Sequence, residues 1–226
     1  MNIWARVTAG ILAVLGAVAL PGTAFAAFAA GDSPQRVTWF HQQLHDDCEA
    51  ASLRMILAAR GQNVSDRQLL SRIGVDLGHR EFGRSGPRSG DPYRSFVGDP
   101  DGSERGGTGF GVYAPPVAAA ARSLGLSVLI AGHGIDPQLL GVLVDAGHPA
   151  VVWADYLWRN RAPSWYRAYD GRWVPYAGPA EHAVTVTAID PGWVEIYDPA
   201  RGHYWISAAR FAAGYASYDD MAVVID

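Results

Sequence analysis

The sequence predicts an α+β domain whose N-terminal helices pack on a C-terminal antiparallel sheet. Two observations carry this: helical periodicity with cap signals dominates the first part of the chain, and from residue 149 onward short strand patterns follow one another. The 226 residues carry a formal net charge of −4, which fits one globular domain with a proper core and lacks the basic footprint of a nucleic-acid binder.

Residues 1–30 hold one charged group, Arg6, then an apolar run, the helix-breaking Pro21-Gly22 and the small-x-small triplet Ala24-Phe25-Ala26. That is the layout of a secretory signal peptide, residues 1–26, with residues 27–226 as the mature domain. The apolar run approaches the ~20 residues of a membrane span, so a retained anchor is the competing reading. Cleavage leaves 17 basic and 22 acidic residues and no basic patch with which to hold an anionic membrane. The expected location is extracytoplasmic, secreted or at the cell surface, without stable membrane association after cleavage.

Residues 34–40, PQRVTWF, read as a short strand, and 41–47 as a polar loop. Good helix formers run from Cys48 to Arg60, with Ala50, Leu53, Ile56 and Leu57 at helical spacing, Asp46 or Asp47 as N-cap and Gly61 as the left-handed C-terminal residue. Ser65 and Gln68 form a capping-box pattern for a second helix closed by Gly74. Residues 78–112 show no periodicity and read as a long functional loop. Residues 114–125 predict a helix with proline in its first turn, 126–132 a strand, and 136–147 a helix capped by Asp136. PAVVWADY, HAVTVTAI, WVEIYD, HYWIS and MAVVID then read as strands, with a short helical SAARFAAG before the last.

The chain has one cysteine, Cys48, so an exported form has no internal disulfide. A lone thiol is an inert core residue, a linker or a reactive group. Placement in a first helical turn favours the thiolate, while Asp46, Asp47 and Glu49 oppose it, so a nearby cation is required. His41 and His45 with Cys48 supply too few ligands for a zinc site, and no metal or cofactor is expected. Asp99-Pro100-Asp101-Gly102 lacks the remaining ligands of a calcium loop, and Gly109–Ala114 lacks the strand that a dinucleotide fingerprint needs.

His182 opens an alternating strand, and the chain turns at Asp190-Pro191-Gly192. Eight residues out and eight back bring Asp198 beside His182, whereas Asp190 lies about 26 Å away along an extended strand. Asp198 is therefore the carboxylate that can orient the imidazole. An acyl-transfer site also needs oxyanion donors: the Cys48 N–H is one, and Gln42 or Gln43 offers a side-chain amide. Residues 153–176 contain eight aromatics, among them Trp158 and Trp165, and are expected to wall one side of a substrate cleft.

The order Gln42, Cys48, His182, Asp198, with 134 residues from Cys to His, resembles the papain-like cysteine peptidases. QQLHDDCEAAS, EHAVTVTAID and YDPARG resemble most closely the bacterial branch related to the bacteriocin-processing double-glycine leader peptidases. GDPYRSFVGD, GFGVYAPP and GHPAVVWADY extend the resemblance over most of the mature chain. One departure is Glu49, where many members carry glycine. The resemblance implies a papain-like fold and a secreted cysteine peptidase acting on peptide or protein substrates. In it Cys48 is the nucleophile, His182 the base, Asp198 the orienter, Gln42 the oxyanion donor, and the Cys48 thiol is activated by an imidazolium. A non-catalytic binding module on the same fold and a cell-wall amidase or transpeptidase are the alternatives.

Overall fold

The structure is a computed structural model that describes residues 37–226. The expected signal segment, residues 1–26, lies outside the described residues, as does the start of the expected first strand. Residues 37–40 form no strand: Val37 is buried, and the Trp39 indole N–H donates to the Asp198 carbonyl at 2.7 Å. This stretch crosses the end of the sheet and does not join its edge.

Helix α1 (Cys48–Ala59) is buried from Cys48 through Leu57. Asp47 occupies its N-cap position, but its carboxylate does not cap the helix and accepts instead from the Leu44 N–H, tying down the preceding loop. Helix α2 (Asp66–Ile73) carries the complete capping box between Ser65 and Gln68. Strand β1 (Val75–Asp76) pairs in parallel with β2 (Phe96–Gly98), which pairs antiparallel with β3 (Gly109–Gly111). The expected featureless loop 78–112 therefore contains sheet structure and buries Phe96, Val97, Phe110 and Val112. Strands of two or three residues are too short to show an alternation.

Helix α3 (Ala114–Ser123), strand β4 (Val128–Gly132) and helix α4 (Pro137–Asp145) follow. The Asp136 carboxylate caps α4 by accepting from the Gln138 and Leu139 N–H groups. Strand β5 (Ala150–Asp155) precedes a two-stranded hairpin, β6 (Ser164–Arg167) and β7 (Trp173–Tyr176). The long β8 (Glu181–Asp190), β9 (Trp193–Asp198), β10 (Gly202–Ser207), helix α5 (Ala208–Tyr215) and β11 (Ala222–Ile225) complete the chain.

Strands β10-β9-β8-β5-β11-β4 form one sheet with every neighbouring pair antiparallel. Its two faces bury separate clusters, as period-two alternation requires. Val151, Trp153, Ala183 and Val223 pack with α1, α2 and α3, and Ala150, Val152, Val184 and Val224 with α4 and α5. Among the described residues no helix is long and apolar enough to cross a membrane.

The aromatic segment divides. Trp158 is 4% exposed, stacks at a tilt on Phe211 with centroids 5.8 Å apart, and donates its indole N–H to the Tyr204 hydroxyl at 3.2 Å. Gly214 makes room for it: a Cβ there would lie 2.7 Å from the indole. The expectation that Trp158 contacts substrate is thus corrected, because the ring fills the core beneath α5. Trp165 is 57% exposed on the hairpin. Trp158→Ala should remove a core aromatic worth about 3–5 kcal/mol, lowering Tm by roughly 6–20 °C in a domain of this size, with affinity for peptides unchanged. Weakened peptide binding at an unchanged Tm would return this ring to the cleft.

Candidate active site

Three polar contacts lash α1 to β8. The Ser52 hydroxyl donates to the Ala183 carbonyl at 3.2 Å, Thr185 Oγ1 donates to the Ser52 carbonyl at 2.9 Å, and the Ala183 N–H donates to Cys48 Sγ at 3.2 Å. The sulfur therefore lies against the peptide that joins His182 to Ala183.

His182 and Asp198 meet across the β8–β9 hairpin. A register shift between Val186 and Ala188 sets Tyr197 opposite Thr185, so Asp198 reaches His182 diagonally along one face. His182 Nε2 and Asp198 Oδ1 are 2.8 Å apart. Asp190 pairs with Trp193 at the far end of the hairpin. Asp198 is buried and richly partnered: Oδ1 also accepts from the Ala200 and Arg201 N–H groups, and Oδ2 accepts from Arg201 Nε at 2.7 Å and the Tyr204 hydroxyl at 2.7 Å. Burial alone would raise this carboxyl, but the His182 ring, Arg201 and Tyr204 outweigh it and hold Asp198 well below the usual carboxylate range. An ionised Asp198 makes Nε2–H the donor and leaves His182 Nδ1 for a reacting group.

Sequence reasoning missed the support around this pair. The Tyr156 ring meets His182 edge-on with centroids 4.9 Å apart, and the Arg201 guanidinium lies 4.3 Å over the same tyrosine. Arg201 sits inside the YDPARG motif, and Tyr156 is one of the eight aromatics, but neither pattern tells which way a ring or guanidinium points.

Gln42 stands close by, its N–H donating to the Pro199 carbonyl at 3.0 Å. Its side-chain Nε2 donates to the Leu44 and His45 carbonyls at 3.0 and 2.8 Å, so both amide hydrogens are committed in this arrangement. The Cys48 N–H, at the first helical position, is one of the donors that a helix start leaves without an intrahelical partner.

The resting thiol differs from the expectation of an imidazolium-activated sulfur. Cys48 is buried, its S–H donates to Glu49 Oε2 at 3.5 Å, and among the described residues its other partner is the Ala183 N–H. Burial pushes the thiol up, the charges of Glu49 and Glu181 push it further, and the Ala183 N–H opposes them weakly. Glu49 is itself buried, and its Oε1 accepts from the Val112 N–H at 2.5 Å. Burial raises Glu49 to about 8, Asp46 to about 7 and Glu104 to about 9, and sends Glu181 well above its ordinary range.

Metal-ligand spacing occurs, among the described residues, in Cys48, Glu49 and Glu181, whose donor atoms lie within 4.8 Å of one another. A divalent cation held there would occupy the thiol. His41 and His45 are exposed and take no part; His45 pairs with Asp101 at 3.1 Å.

A cleft of about 640 Å³ opens beside this group, lined by Asp46, Glu104, Tyr156, Leu157 and Glu181 among others. Neither Trp158 nor Trp165 lines it.

A papain-like α+β fold with a thiol at a helix start, one peptide away from a carboxylate-held imidazole, fits the class of cysteine peptidases. Residues 34–223 match the Peptidase_C39 like family, and the chain belongs to that family. Among solved structures it is similar to a protein assigned as a C39-like peptidase from Bacillus anthracis, at 24% identity and a TM-score of 0.69, covering 85% of this chain and 95% of that one. It is also similar to a double glycine motif protease from an AMS/PCAT transporter, solved with its leader peptide, at 18% identity and a TM-score of 0.48 over 86% and 94% of the two chains. A search of the curated proteins found no match.

The thiol's surroundings set its pH response. Because the folded protein raises the thiol, alkylation of native Cys48 by iodoacetamide should be slower at neutral pH than that of an unstructured cysteine peptide. It should climb only above the ordinary thiol range near ~8.5, and reach the peptide's rate in denaturant. A native rate above the peptide's at pH 7 would show a thiolate already formed.

Proposed function

We propose that the protein hydrolyses peptide bonds through a thioester on Cys48, with His182 as base and acid and Asp198 as the group that orients the ring. The observation that carries this is the 2.8 Å bond from His182 Nε2 to a buried Asp198, formed one peptide away from the contact that Ala183 makes with Cys48 Sγ. With Nε2 so engaged, Nδ1 accepts the thiol proton once Sγ turns away from Glu49. The thiolate attacks the carbonyl carbon, and the developing oxyanion accepts from the Cys48 N–H. Gln42 supplies a second donor by releasing the His45 carbonyl, an exposed hydrogen bond that water replaces. Such an exchange costs about 1 kcal/mol and is offset by a charge-assisted bond to the oxyanion. His182 then gives its proton to the leaving amine, water attacks the thioester with the same ring as base, and Cys48 is released.

The layout of residues 1–26 supports an extracytoplasmic site of action, on peptides or proteins met outside the cell membrane. A pooled peptide library digested by the purified protein and read by mass spectrometry tests the activity. On the best substrate, Cys48→Ala should abolish turnover and His182→Ala should lower kcat at least ~10³-fold. Assayed well below its Tm, Asp198→Asn should lower kcat ~10²-fold or more, and Asp190→Asn should change it less than about twofold because Asp190 sits at the distal turn. Cleavage that survives Cys48→Ala, or greater damage from Asp190→Asn than from Asp198→Asn, would overturn the assignment.

A further inference from the structure

The cleft beside Cys48 is lined by three carboxyls together with Arg105 and Arg161. Asp46, Glu104 and Glu181 line it, and Glu49 lies behind them. Among the described residues none of the four forms an ion pair with an arginine or histidine. Of the two arginines that share the cleft, Arg161 is committed to Asp155, and Arg105 is exposed and acts on Glu104 only through its field.

Each of the three lining carboxyls leaves one oxygen buried and without a hydrogen-bond donor: Asp46 Oδ2, Glu104 Oε1 and Glu181 Oε1. Native folds rarely leave buried acceptors unmet, and three in one cleft describe a ligand rather than a packing fault. The backbone makes room for the group as well. At Gly111, with φ +137°, a Cβ would stand 2.5 Å from Glu49 Oε1 and 3.0 Å from Glu181 Oε2, so a side chain there would displace both carboxyls. Glu104 is tied to the site by accepting from the Glu181 N–H at 3.1 Å, and the Glu181 carboxyl lies within 4.8 Å of Cys48 Sγ.

We propose that this cleft binds a primary ammonium group of the peptide substrate next to the scissile bond, held by the carboxylates of Asp46, Glu104 and Glu181. The inference rests on the peptidase reading above and names its substrate class. A primary ammonium carries one charge and three N–H donors, matching three unmet acceptors, and it needs no planar fork. Tyr156, Leu157, Pro179 and Ala180 line the same cleft and offer an apolar wall to the methylene stem that carries a side-chain amine. Burial leaves Asp46 near the middle of its titration at neutral pH and Glu104 almost wholly protonated, against the favourable fields of His45 on Asp46 and Arg105 on Glu104, and an arriving ammonium ionises them. The ammonium has two sources in a peptide, a lysine-type side chain or a free N-terminus.

The test is a matched peptide series carrying lysine, Nε-acetyl-lysine or norleucine at each position flanking the cleaved bond, with the N-terminus free or acetylated. Wild-type kcat/KM should favour the amine-bearing peptide over its acetylated and norleucine counterparts at least tenfold. Whether acetylating the side chain or the N-terminus removes the preference identifies the source. Glu104→Gln should collapse the ratio toward one, and Asp46→Asn does the same duty if that variant fails to fold. Ratios near one in the wild type would overturn the subsite while leaving the peptidase intact. If no peptide is cleaved, calorimetry on Cys48→Ala protein separates the two ideas: tighter binding of the lysine peptide by tenfold or more sustains the subsite, and equal binding sinks it. A rise in Tm with millimolar Ca²⁺ or Zn²⁺ that Glu104→Gln removes, without any amine preference, would show a metal site instead and overturn the proposal.

Discussion

The clamp between α1 and β8 is the constraint on which the site depends. Ser52 and Thr185 exchange hydrogen bonds with the facing backbone, and the Ala183 N–H reaches Cys48 Sγ, so helix and strand hold one relative position. The apolar face of α1 makes that position costly to leave: Leu53, Ile56 and Leu57 are fully buried among residues of α2, α3 and the sheet. Polar contacts specify the alignment, and apolar burial supplies most of the free energy that retains it. Because His182 precedes Ala183 in the same strand, the thiol is fixed against the peptide that joins the two residues.

Two electrostatic regions of opposite character meet at that sulfur. On one side the His182 ring, Arg201, Tyr204 and two backbone N–H groups keep Asp198 ionised. On the other side Glu49 and Glu181 penalise a thiolate. The resting sulfur is turned to the second region, as a neutral thiol on Glu49. In the proposed reaction activation is a change of neighbours: rotation of one side chain would take the sulfur out of the field of the carboxyls and toward His182. A bound cationic group that offsets the charge of those carboxyls would favour the rotation, coupling reactivity to occupancy and leaving the chain's single thiol quiet in the free protein.

Much of this site was legible in the chain because it rests on short-range rules. Helix periodicity and Gly61 place Cys48 at a helix start, and the capping box at Ser65 forms as written. The distances out to the turn at Pro191-Gly192 and back separate Asp198 from Asp190, and the one-residue shift between Val186 and Ala188 sets Tyr197 opposite Thr185, which brings Asp198 onto the strand face of His182 as a diagonal neighbour. What was hidden depends on orientation. Aromatic density between 153 and 176 does not reveal that Trp158 turns into the core while Tyr156 turns onto His182. Nor does a lone Glu104 in a glycine-rich stretch announce that its loop folds back against Glu181. Asp47 looks like a helix cap in sequence but is drawn to Leu44, since a buried carboxylate takes the donors nearest to it.

The most direct measurement is intact-mass spectrometry of the enzyme quenched in acid during turnover of an activated peptide ester. A Cys48 thioester mechanism requires a species heavier than the free protein by the acyl part of the substrate, mapped by digestion to Cys48 and absent from Cys48→Ala. Steady turnover with no such adduct, or with the acyl group on another residue, would contradict the account.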